Sequence, residues 1–104
     1  MEKTKFEFYV AGVRHHEIYK CLDEMKVGHY LLMEPEPLNK YDANAIRLEY
    51  ADVKSGYNIM IGYVPGKISA EVTNILKPGV YCEITELNKE AKPWKQVKVV
   101  IKEN

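Results

Sequence analysis

Three short stretches hold most of the side chains able to do chemistry. The first is Gly12-Val13-Arg14-His15-His16. A guanidinium can grip a phosphate through two parallel N–H bonds. The two imidazoles offer flat rings for stacking on bases and N–H donors for phosphate. The same residues also fit a charged, solvated strand end with no ligand. Neighbouring residues of a strand point to opposite faces, so His15 and His16 do not share one metal ion. The spacing of His15, His16 and His29 fits no zinc pattern, and no metal or cofactor site is expected.

The second stretch is Asn39-Lys40-Tyr41-Asp42-Ala43-Asn44-Ala45-Ile46. Short Asn and Asp side chains bond nearby backbone N–H groups, so Asp42 or Asn44 can simply close a turn. The functional alternative is that the turn presents Tyr41 and Asp42 outward. An aromatic ring beside a carboxylate can stack on a base and accept a hydrogen bond from a sugar hydroxyl. A carboxylate repels an internal phosphate but suits a free hydroxyl. In a nucleic-acid site, Asp42 therefore points to recognition of a strand end. The third stretch is Ile61-Gly62-Tyr63-Val64-Pro65-Gly66-Lys67, running from a strand into a helix. The first N–H groups of that helix offer an anion site with Lys67 nearby. A plain strand-to-helix turn, with Gly62 allowing close packing, is the simpler reading.

Catalysis finds little footing. There is no Gly-x-Ser-x-Gly, no Walker-type loop and no dinucleotide fingerprint. Cys21 fits a core thiol better than a nucleophile. The chain is not expected to be an enzyme. Its 104 residues carry 15 Lys and Arg against 15 Asp and Glu, a formal net charge of zero. Sequence-blind coating of DNA relies on excess positive charge, so any nucleic-acid site here must be local. No run approaches the ~18 apolar residues that span a membrane. Cys21 and Cys82 form no disulfide framework, which fits a reduced, cytoplasmic protein.

The elements that must position these residues are mostly strands. Phe6, Phe8 and Val10 alternate with polar neighbours, and Gly12 marks a bend. A second strand spans His29 to Glu34, stopped by Pro35 and Pro37. Ile46, Leu48 and Tyr50 define a third. After a turn at Ser55-Gly56, Tyr57 to Val64 is a fourth, with Ile59, Ile61 and Tyr63 on one face. Val80, Cys82 and Ile84 mark a fifth, and Val97, Val99 and Ile101 a sixth. Lys95 and Lys98 are placed to guard the sixth as an edge. A helix with Pro65 in its first turn shows an apolar stripe of Ile68, Val72, Ile75 and Leu76, ended by Lys77-Pro78-Gly79. A second helix is predicted over Glu17 to Lys26, with Ile18, Leu22 and Met25 inward and Gly28 as its stop. One mainly β domain over residues 1–104 follows, a small six-stranded, partly closed barrel of OB type with two short helices. A split β-sandwich is the alternative.

Order and spacing say more than the single stretches. Val10-Ala11-Gly12-Val13-Arg14-His15-His16, then Leu32-Met33-Glu34-Pro35, then Asn39-Lys40-Tyr41-Asp42-Ala43-Asn44-Ala45-Ile46, then Ile61-Gly62-Tyr63-Val64-Pro65, resembles the HIRAN domain over roughly residues 6 to 87. The resemblance implies a modified OB-type barrel that captures the 3′ end of single-stranded DNA. It implies that Arg14 holds phosphate, that His15 and His16 take the place of a stacking aromatic pair, that Tyr41 stacks on a base, and that Asp42 bonds the free 3′-hydroxyl. Tyr63 stands where the best understood member has a histidine. A lysine of that member falls on Gly66 here, with Lys67 one position on.

The function expected is non-catalytic binding of single-stranded DNA, at its free 3′ end, in DNA repair or replication. Arg14, His15, His16, Tyr41, Asp42, Tyr63 and Lys67 are the expected contacts. The alternative is a protein-interaction module that recruits a helicase-like ATPase or nuclease on another chain. RNA or nucleotide binding is a third and weaker option.

Overall fold

Alternation of apolar and polar residues yields six antiparallel strands. The computed structural model describes residues 3–104. In chain order the elements are β1 Lys3–Tyr9, β2 Tyr30–Pro35, β3 Ile46–Ala51, β4 Asn58–Tyr63, α1 Gly66–Ile75, β5 Val80–Leu87 and β6 Val97–Glu103. Short 3-10 turns occupy Val13–His15, Ile18–Lys20 and Pro93–Lys95. The spatial order is β1-β6-β5-β2-β3-β4. The inward positions of the alternating patterns fill the core, with Ile46, Leu48, Ile61, Ile84, Val99 and Ile101 fully buried.

The sheet is two three-stranded halves joined by a short seam. β2 meets β5 only at Tyr30 and Leu31, while β2–β3 and β5–β6 pair along their length. The far ends of the order meet at one point just beyond β1. Ala11 and Tyr63 exchange backbone bonds of 2.9 and 2.8 Å. No full ladder closes the barrel among the described residues, so closure rests on this bridge. Gly62 permits it, since a Cβ there would lie 2.4 Å from the Ala11 carbonyl oxygen.

Four expectations need correction. No α-helix forms over Glu17 to Lys26. The segment winds in successive tight turns, Lys20 N to Glu17 O and Glu24 N to Cys21 O among them. A short segment without a side-chain cap pays the nucleation cost of a helix poorly. The Glu17 N–H is also drawn to Met60 O on β4, at 3.2 Å. The inward residues are nonetheless those expected, with Ile18 and Met25 buried and Leu22 half-buried. Second, β6 is not an edge, because β1 returns to cover it. Lys98 instead bridges Glu86 at 3.3 Å and Glu7 at 3.9 Å across neighbouring strands. Third, Pro35 ends β2 from within rather than stopping it. Beyond Leu31 one side of β2 has no strand partner, and there a proline is tolerated. Fourth, Pro65 caps α1 from outside its first turn. Val72 is fully buried, and Ile68, Ile75 and Leu76 pack on the core, as the stripe requires.

Candidate nucleic-acid interface

The Asn39–Ile46 stretch folds around its own short side chains. Asn39 Oδ1 accepts from the Tyr41 and Asp42 N–H groups at 2.9 and 3.1 Å. Asp42 Oδ1 accepts from the Asn44 N–H at 2.8 Å. Asp42, not Asn44, therefore closes the turn. Its other oxygen accepts from Ser69 Oγ on α1 at 2.7 Å. Asp42 is thus half-buried and pinned, while Tyr41 stands 87% exposed. Only the tyrosine is thrown outward. Lys40 Nζ lies 5.1 Å from the Tyr41 ring centroid, bringing a cation to that aromatic face.

Between this turn and the start of α1 lies a groove of about 430 Å³. Tyr41, Asp42, Asn39, Tyr63, Gly12 and Gly66 are among its lining residues. At the helix start, where an anion site with Lys67 was expected, the protein's own Asp42 lies close by. Asp42 Oδ2 sits 4.0 Å from the position a Gly66 Cβ would take. The protein's own carboxylate thus faces the positive end of α1, where negative charge is stabilised. Lys67 is exposed and outside the lining of the groove.

Val13–His15 is a 3-10 turn, so alternation along a strand does not govern the two histidines. Gly12 enters the turn with a left-handed φ of 71°, which favours glycine. His16 turns toward the groove wall, its ring centroid 5.6 Å from that of Tyr63 at 66°. His15 turns the other way. With Arg14, Pro93 and Trp94 it lines a hollow of about 200 Å³. Gly12 borders both spaces, so they adjoin. Arg14 is exposed, its Nε 3.4 Å from His15 Nε2. Partial burial, then the charge of His15, hold the His16 imidazole below its ordinary range, against the opposing pull of Glu36. His16 therefore gains charge only in more acidic solution than an unperturbed imidazole does.

The structure gathers Tyr41, Asp42 and Tyr63 in one groove, with the His16 ring against Tyr63, sets Arg14 and His15 in the adjoining hollow, and leaves Lys67 outside the lining. A family model for the HIRAN domain matches residues 3–101. The chain belongs to the HIRAN family. HIRAN domains are known for DNA binding, not for catalysis. No curated protein matches this one significantly in sequence. The fold is similar to a crystal structure of a protein from Lactobacillus plantarum, with TM-score 0.75 and 21% identity over 99% of this chain and 95% of that one. It is also similar to the crystal structure of the HIRAN domain of human HLTF, with TM-score 0.60 and 12% identity over 95% of this chain and 75% of that one.

Other residues that sequence reasoning did not single out adjoin the two spaces. Trp94 is 52% exposed and has Lys92 Nζ 5.4 Å from its ring centroid. An exposed tryptophan in a polar loop was a signal available to find it. Ser69 and Glu36 had none, since each acts on a residue 27 positions away. Glu36 Oε1 accepts from Tyr63 Oη at 2.8 Å. Burial first, and then this bond, raise the Tyr63 hydroxyl above its ordinary pKa. Among the described residues no group of three or more His, Cys, Asp or Glu is placed to hold a metal. Burial pushes the Cys21 thiol up to about 11 and Cys82 up to about 12, opposite to what a nucleophile needs. No helix among the described residues is long and apolar enough to cross a membrane.

Proposed function

We propose that this HIRAN domain captures the free 3′ end of single-stranded DNA, in repair or replication. The observation that carries the reading is the pairing of an exposed Tyr41 with a pinned Asp42 on one groove. The ring supplies a stacking face, worth about 1–3 kcal/mol per base. The carboxylate keeps lone pairs for a donor, because Ser69 and the Asn44 N–H occupy only part of its capacity. A terminal hydroxyl is such a donor, and a phosphate is not. Tyr63 lines the same groove, with the His16 ring against it. Arg14 in the adjoining hollow, Lys40 beside Tyr41 and Lys92 beside Trp94 are the cations for backbone phosphates. Trp94 adds an aromatic face on the Arg14 and His15 side.

Few phosphates are neutralised in such a site. The logarithm of affinity should therefore fall with that of salt at a slope shallower than about −2. Asp42→Ala should erase the preference for a 3′-hydroxyl over a 3′-phosphate. Fluorescence anisotropy with matched short oligonucleotides reads this. A mutant that keeps the preference removes the role given to Asp42.

A second reading has one observation in its favour. Where β2 and β5 splay apart, Tyr30, Leu32, Pro35, Leu76 and Val80 line an apolar hollow of about 460 Å³. Such a surface suits a partner protein, a helicase-like ATPase or nuclease on another chain. Binding of that partner should survive Asp42→Ala unchanged.

A further inference from the structure

Glu36 is outside the lining of the groove, yet it touches both walls. Its Oε1 accepts from Tyr63 Oη on β4 at 2.8 Å and from Asn39 Nδ2 in the β2–β3 loop at 3.0 Å. Its backbone N–H donates to Ala45 O at 2.8 Å, and its carbonyl accepts from the Asn39 N–H at 2.9 Å. A path of hydrogen bonds thus runs from Tyr63 through Glu36 and Asn39 to the Tyr41–Asp42 turn, and on to Ser69 of α1.

The path fixes chemistry as well as shape. Tyr63 gives its hydroxyl proton to Glu36, so only lone pairs remain for another partner. Asp42 likewise offers lone pairs alone. Charge points the same way. Arg47 lies 3.6 Å from Glu36 but is also paired with Glu49. One guanidinium between two carboxylates leaves excess negative charge behind Tyr63, and Asp42 adds to it across the groove.

We propose that Glu36 is a positioning residue that makes the groove select a strand terminus bearing a free hydroxyl over one bearing a phosphate. The inference rests on the end-capture reading and assigns its discrimination to two carboxylates instead of one. A hydroxyl donates into this wall. A terminal phosphate brings charge of the same sign and no proton to give at neutral pH.

The test compares wild type, Glu36→Gln and Glu36→Ala on oligonucleotides ending in a 3′-hydroxyl or a 3′-phosphate. Gln keeps an oxygen for Tyr63 or Asn39 and removes the charge. Glu36→Gln should hold hydroxyl-end affinity within about twofold while the hydroxyl-to-phosphate ratio falls about three- to tenfold. Glu36→Ala should weaken both ends, because the walls lose their tie. A wild-type ratio in Glu36→Gln overturns the proposal, since a purely structural role leaves that ratio unmoved. A DNA-free readout separates the two levels of the account. Ultraviolet titration, with Tyr63→Phe to assign the signal, should show Tyr63 ionising at lower pH in Glu36→Gln. No change there refutes the Glu36–Tyr63 tie itself. A wild type with a shifted Tyr63 but no preference between ends overturns the end-capture reading, and the selection assigned to Glu36 with it.

Discussion

Two of the depressions on this domain, alike in size, use their tyrosines differently. The groove beside Tyr41 encloses about 430 Å³ and a hollow beside Tyr50 about 450 Å³. Each pairs a tyrosine with charged neighbours. In the hollow, Tyr50 Oη donates to Glu24 O at 3.1 Å and bonds His29 Nδ1 at 2.8 Å. The two rings stack at 5.8 Å and 25°. At its rim Lys54 pairs with Glu24. There the Tyr50 hydroxyl is engaged in holding the turn segment to β3. In the groove, Tyr41 is exposed with no hydrogen bond from its hydroxyl among those described, and Asp42 keeps spare lone pairs. The same residue types build a seam in one place and a receptor in the other. What differs is how fully the protein itself consumes their bonding capacity.

The largest effect should come from the bridge beside the groove, between Ala11 and Tyr63. Gly62→Ala drives a Cβ into the Ala11 carbonyl and breaks the bridge that joins the sheet ends. We expect a loss of about 3 kcal/mol in chemical denaturation, together with lost DNA binding. Stability unchanged within ~0.5 kcal/mol would show that the bridge closes nothing. Next, Tyr41→Ala should weaken single-stranded DNA about 5- to 150-fold by anisotropy. Its stability should stay within ~0.5 kcal/mol of wild type, since the ring is exposed. Tyr50→Phe is the mirror experiment in the hollow. It should cost about 1 kcal/mol of stability and leave DNA affinity unchanged. Exchanged phenotypes between these two mutants would invert the comparison.

The smallest effect concerns His16, whose ring lies against Tyr63 of the groove. Its NMR titration midpoint should lie below 6.5, and that of an unfolded peptide near 6.5. Between those values the unfolded chain binds more protons than the folded one. The His16 contribution to stability is therefore intact above 6.5 and declines as pH falls through that window. A folded midpoint above 6.5 would mean that Glu36, not burial, governs this imidazole.

Local chemistry made much of this readable from the chain. The Asn39 turn and its closure by Asp42 use bonds spanning two or three residues, so the sequence carries them directly. Strands β3, β5 and β6 follow from alternation that the core then rewards. What stayed hidden depends on where distant segments meet. Alternation cannot show that β1 returns to cover β6, which made Lys98 look like an edge guard. Apolar spacing over Ile18, Leu22 and Met25 fits a helix and a chain of turns alike, and the pull of Met60 O on Glu17 decided it. The approach of Asp42 to the start of α1, where Ser69 bonds it, likewise joins segments 27 residues apart. Tyr63, singled out in the sequence, lines the groove, but its tie to Glu36 crosses from β4 to the loop after β2.

The most direct test of the central claim is anisotropy of the wild-type protein with one short single-stranded DNA, ending in either a 3′-hydroxyl or a 3′-phosphate. The account predicts tighter binding of the hydroxyl end. Equal binding of both ends, or none at tens of micromolar protein, would contradict it.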